Sequence, residues 1–201
     1  MKNDTFIITK SIENGIIEAL FSILKTRDLN QITDSFILAF GQPASCSDHN
    51  IKKYYFDIQS YPVLIRLFNH TDIKVIQGSI IVIYNILIVG STAETSKPHQ
   101  HFEVMVQCDG INKIFALFQH AENSEIKNVS AVCIGRLFKS REIENQQMRS
   151  EIITYLKTMV NNPEYWERNE SRKDLKGLAL NAANRIEIEA GGFVIPEVDD
   201  D

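Results

Sequence analysis

A helical hairpin written between Gly110 and Phe138 constrains this chain more than any other feature. Ile111, Ile114, Leu117 and Phe118 recur at i, i+3, i+6 and i+7, which places them on one face of an α-helix, and Asn112 and Lys113 fall off that face. A polar break from Gln119 to Ser124 follows. Ser124 is placed to cap the next helix, and Glu125 suits its first turn, where a negative charge meets the positive end of the helix dipole. The second helix carries Ile126, Val129, Val132, Cys133, Leu137 and Phe138, while Ala131, Ile134 and Gly135 keep its middle small enough for close packing. Two such helices cannot bury both apolar faces against each other alone. They need neighbours on either side, and that need predicts an all-α stack of helical pairs.

Weaker copies of the anchor recur as Ile17, Leu20, Ile23 and Leu24, as Tyr61, Leu64, Leu67 and Phe68, and as Ile153, Leu156, Met159 and Val160. Their first residues and Ile111 are spaced by 44, 50 and 42 residues. Between them the pattern predicts helices over 28–40, ended by Gly41-Gln42-Pro43, and over 50–59, 73–89, 102–108, 141–149 and 175–186. The run 80–89 is almost wholly apolar and belongs in the centre of a stack, with a buried strand as the minor alternative. Polar loops are expected over 42–49 and 90–101, and a polar insert holding Pro163 and Trp166 over 161–174. The domain reading is a lead over 1–10, one repeat domain over 11–187, and a flexible acidic tail over 188–201.

Composition narrows the function classes. A net charge of −5 offers no global basic field for nucleic acid or an anionic membrane. Cys46, Cys108 and Cys133 are odd in number and widely spaced, so they make no disulfide framework. The polar start shows no secretory signal, and 80–89 is about half a membrane span. A cytoplasmic location is the expectation.

The pattern Gly-Ile-x-x-Ile-x-x-Leu-Phe at 110–118, followed by Ala131-x-x-Ile134-x-x-Leu137, resembles the second and third helices of an armadillo repeat. The repeat spacing is similar to that of armadillo and HEAT units. The resemblance covers about 11–187, with the third unit matching best. It implies a right-handed α-solenoid of about four repeats, serving protein–protein interaction or scaffolding. Peptide-binding armadillo proteins such as importin-alpha and beta-catenin line a concave groove with an asparagine near the end of each third helix. The matching positions here are Ala39, Asn85, Arg136 and Arg185, so only Asn85 fits, and the tryptophans of importin-alpha have no counterpart. A receptor for nuclear-localisation signals is therefore not implied.

The expected partner-binding residues are Asn85, Asn128, Arg136, Asn181 and Arg185, with the arginines suited to carboxylates of an acidic or extended segment. No catalytic residue, cofactor, metal or small molecule is implied. His99, His101 and the stretch Cys46 to His49 read as solvated loops, Cys133 as core, and Trp166 as a loop plug or, with Tyr165 and Arg168, an exposed anchor. The first expectation is a non-enzymatic protein-binding module. A structural segment of a larger assembly without a peptide groove stays open beside it, as does, more remotely, a helical enzyme or nucleic-acid binder.

Overall fold

The computed structural model describes residues 2–46, 48–90 and 97–199, with side chains for all of these except 2–6, 89 and 90. Residues 91–96 of the expected loop at 90–101, Ser47 of the loop at 42–49, and the last two residues of the acidic tail lie outside them. The described residues form twelve α-helices and four 3-10 turns, and among them there is no strand. No described helix is long and apolar enough to cross a membrane. The structure divides the chain into two compact units, Met1–Val89 and Gly90–Asp201, where the sequence reading ran one domain over 11–187.

The first unit holds α1 (Lys2–Glu13), α2 (Ile16–Thr26), α3 (Asp34–Gly41), α4 (His49–Asp57), α5 (Ser60–Arg66) and α6 (Ile73–Gly90). The lead expected over 1–10 is largely the helix α1. Gly15, at φ 71°, separates it from α2, a left-handed conformation that glycine adopts without steric cost. The expected helix over 28–40 begins instead as a 3-10 turn and becomes α-helical only at Asp34. The anchors Ile17, Leu24, Tyr61, Leu64 and Leu67 are buried as their spacing requires. Arg66 donates to the carbonyls of Leu24 at 2.8 Å and Arg27 at 2.6 Å, which satisfies the open carbonyl end of α2. The apolar run 80–89 is helix, so the strand alternative falls. It passes close to α3: a Cβ at Gly41 would lie 2.5 Å from Val82 Cγ2.

The second unit holds α7 (Phe102–Gln107), α8 (Gly110–His120), α9 (Ser124–Leu137), α10 (Gln146–Met159), α11 (Tyr165–Leu178) and α12 (Ala182–Glu189). α9 packs between α8 and α11, and α10 packs against α9, α11 and α12. Ile114, Ile126, Val132, Cys133, Ile134, Leu137, Leu156 and Leu175 are all fully buried in this core. The hairpin of α8 and α9 forms as its pattern predicts, although Asn123, one residue before Ser124, caps α9 by accepting from Ile126 N at 3.0 Å.

Beyond Phe138 the reading and the structure part. No helix spans 141–145; Asn145 caps a single helix α10 that takes in the expected anchor from Ile153 to Met159, with Val160 as its C-cap. The stretch read as a polar insert is mostly α11, and the helix expected over 175–186 is the end of α11, a turn, and most of α12. Trp166 sits in the first turn of α11, so it is not a loop residue. Asn184 is fully buried and ties α12 to the segment before α10, accepting from Ile143 N at 3.1 Å and donating to the Arg141 carbonyl at 2.7 Å. His99 and His101 are 2% and 3% exposed and therefore not solvated. Burial lowers His101 to about 4, which keeps it neutral at pH 7.

Candidate functional site

α11 carries two charged faces with different fates. Helical geometry turns about 100° per residue, so Glu167, Glu170 and Asp174 share one side and Arg168, Arg172 and Lys176 share nearly the opposite one. The first side meets α9. Arg136 ion-pairs with Glu170 and approaches Asp174 at 3.4 Å. Asn128 donates to Glu167 at 2.6 Å and accepts from the Tyr155 hydroxyl at 2.6 Å. Burial works to raise Glu170, but the guanidinium of Arg136, helped by Lys173, outweighs it and holds the carboxyl below its usual range. At Asp174 burial wins over the attraction of Arg136, and Glu170 adds to it, raising the carboxyl to about 7. Its Oδ2 finds no hydrogen-bond partner among the described residues.

The second side of α11 holds an extended segment, residues 197–199, running antiparallel to the helix. Asn169 grips the main chain of Asp199 at two points: Asp199 N donates to Asn169 Oδ1 at 2.8 Å, and Asn169 Nδ2 donates to the Asp199 carbonyl at 3.2 Å. The Asp199 carboxylate is shared by two arginines, accepting from Arg168 Nε at 2.7 Å and from Arg172 Nη1 at 2.5 Å. Arg172 Nη1 also donates to the Glu197 carbonyl at 2.7 Å, and Lys176 pairs with the Glu197 carboxylate at 2.5 Å. Hydrogen bonding from Arg168 lowers the Asp199 carboxyl, and hydrogen bonding from Lys176 lowers that of Glu197.

The cations of this strip are also held from behind. Arg172 Nε donates to the Val160 carbonyl at 2.9 Å, and Arg168 Nη1 donates to the carbonyls of Asn162 at 2.7 Å and Pro163 at 3.0 Å. The turn between α10 and α11 thus fixes both guanidinium planes with bonds that do not involve residues 197–199. An amide that reads one residue's N–H and carbonyl together holds extended backbone whatever its side chain, and the arginines add a demand for a carboxylate.

The five residues expected to bind a partner are dispersed. Asn85 lies half-buried on α6 in the first unit. Asn128 and Arg136 are each 7% exposed and face α11, so the guanidinium expected to meet a partner is engaged by Glu170 and Asp174. Asn181 caps α12 through its side chain. Arg185 is exposed on α12 and does not join Arg136. Sequence reasoning named Arg168 only beside Tyr165 and Trp166 as a possible exposed anchor, and missed Asn169, Arg172 and Lys176. The available signal was three cations at i, i+4 and i+8 in a chain whose final residues are acidic.

Two other concavities flank this unit. An open cleft of about 600 Å³ is lined by Phe118, Lys127, Glu151 and Tyr155, with the Lys127 ammonium 5.2 Å from the Phe118 ring centre and 5.5 Å from that of Tyr155. A second, of about 500 Å³, has the Arg141 guanidinium 4.2 Å from the Phe102 ring centre. No group of three His, Cys, Asp or Glu side chains placed to hold a metal occurs among the described residues. No protein-family model matches the chain, and no curated protein matches it.

Proposed function

We propose that this chain is a non-enzymatic protein-binding module, an armadillo-like α-solenoid that holds an extended, acidic segment of a partner protein on the outward face of α11. The observation that carries this reading is the grip on residues 197–199: a two-point amide clamp on main chain beside paired arginines on a carboxylate. The carbonyls behind Arg168 and Arg172 support it further, because donors already oriented lose less freedom when a ligand arrives. The test is an array of synthetic peptides varied in the number and spacing of Asp and Glu, probed with the full chain, with a chain whose tail is weakened by Glu197→Ala and Asp199→Ala, and with Arg168→Ala in each. Binding that needs acidic residues at alternate positions and falls with Arg168→Ala supports the reading. Absence of peptide binding by every one of these chains overturns it.

The second reading, a structural segment of a larger assembly, is favoured by one observation. Leu180, in the turn before α12, and Ile186, on α12, are 49% and 74% exposed, and large apolar side chains open to solvent suit a permanent neighbour. Assembly through that region predicts that Ile186→Asp abolishes co-purification with the neighbour while leaving peptide binding on α11 intact.

A further inference from the structure

Residues 188–201 were expected to be a flexible acidic tail, yet 197–199 occupy the α11 strip in detail. We propose that this tail is a displaceable strap, an internal competitor that covers the strip until an acidic partner segment replaces it. The inference rests on the binding reading above and adds its regulation.

Three observations distinguish a strap from a permanent part of the core. First, the grip is polar throughout: Glu197 and Asp199 face Lys176, Arg168, Arg172 and Asn169, and the Glu197 side chain is 93% exposed. Second, the apolar residues of the tail are not deeply buried: Val194 is 80% exposed, Ile195 and Val198 are half-buried, and Phe193 is half-buried beneath the Lys157 ammonium at 4.9 Å. The pairs of Lys176 with Glu197 and Arg168 with Asp199 are partly exposed and individually weak, in part because water and salt compete for them, while Arg172 is covered more deeply. Third, Arg168 and Arg172 also donate to carbonyls of the turn between α10 and α11, so both guanidinium groups retain hydrogen-bond partners when the tail leaves.

The same chemistry that holds the strap defines what displaces it: extended backbone with carboxylates two residues apart, matching Glu197 and Asp199. A partner then meets a strip that is open for only a fraction of the time. If the tail covers it nine-tenths of the time, the apparent affinity is about tenfold below that of the open strip.

The experiment uses a fluorescently labelled synthetic peptide of residues 192–201 and fluorescence anisotropy with the full-length chain. Glu197→Ala with Asp199→Ala in the chain is expected to strengthen capture of the peptide by about tenfold. Adding Lys176→Glu, a half-exposed position that does not threaten the fold, is expected to remove that gain. Hydrogen exchange supplies a second readout: excess unlabelled peptide is expected to speed exchange at the Asp199 amide of the unmodified chain. Equal affinity for the two chains, with the Asp199 amide still protected, overturns the strap and leaves the binding reading standing. Capture by neither chain overturns both.

Discussion

Arg136 on α9 and Glu170 on α11 form an ion pair with 8% and 10% of their side chains exposed, and Asp174 lies 3.4 Å from Nε of the same guanidinium. A charge so placed is tolerated only while its partners remain. Arg136→Ala takes the guanidinium from buried Asp174 and leaves Glu170 with Lys173, and is expected to destabilise the protein by about 3–5 kcal/mol in chemical denaturation. Replacing the cluster together, with Arg136→Met, Glu170→Leu and Asp174→Leu, is expected to bring stability back toward that of the parent. A similar loss in the single and triple variants would show that the cost is packing rather than stranded charge.

Asp174 sets a pH dependence. Its carboxyl is raised from 3.8 to about 7, so the folded chain holds that proton more tightly than the unfolded chain does. A raised folded-state value means that the stabilising contribution is complete below the unfolded value and disappears as pH climbs through about 7. Glu170 is shifted the opposite way, and its contribution is lost only toward acid. Denaturation midpoints are therefore expected to fall between about pH 5 and pH 7.5, and Asp174→Asn is expected to flatten that slope. A slope unchanged by Asp174→Asn would assign the proton elsewhere.

Close approach governs Gly135. A Cβ there would lie 3.0 Å from both Asp174 Cβ and Leu156 Cδ1. Gly135→Ala favours the helix intrinsically but must push α11 or Leu156 aside. The expected net is a loss of about 1–3 kcal/mol, measured by thermal or chemical unfolding. A gain in stability would show that these neighbours yield freely.

The docked tail responds to acid and to salt. Asp199 and Glu197 have depressed carboxyls, so docking is favoured above the ordinary carboxylate range and is lost as pH falls through the depressed values. Exchange at the Asp199 amide, corrected for intrinsic rate, is expected to speed up toward acid and with added salt, while core amides of α9 hold. Protection of Asp199 that ignores both conditions would mean that the charges do not hold the tail.

The helices α6, α8 and α9 were legible because their buried positions are apolar and fall at helical spacing. α11 was not. Its buried residues include Asn169, Glu170, Ser171, Arg172 and Asp174, whose charges and amides are met by Arg136, Val160 and residues 197–199, so the hydrophobic pattern is silent where the helix is real. The same silence hid the site. Arg136 looked outward only because Glu170 and Asp174 stood in a stretch read as an insert. The strip on α11 was invisible as a strip until a helix placed residues 168, 172 and 176 on one side. With α11 displaced to begin at Tyr165, Arg185 moved onto the next helix and out of register with Arg136.

Residues 197–199 cross the side of α11 that faces away from α9. Layered helices grow by laying another apolar face on the last exposed one, and that step needs a bare surface. Here the surface is already faced with hydrogen-bonded main chain and paired charge, so a second copy arriving at this edge gains little by sticking. The tail thereby acts as a selvedge: it finishes this side of α11 with main-chain hydrogen bonds and neutralised charge, where Arg168, Asn169, Arg172 and Lys176 alone present a cationic, polar surface.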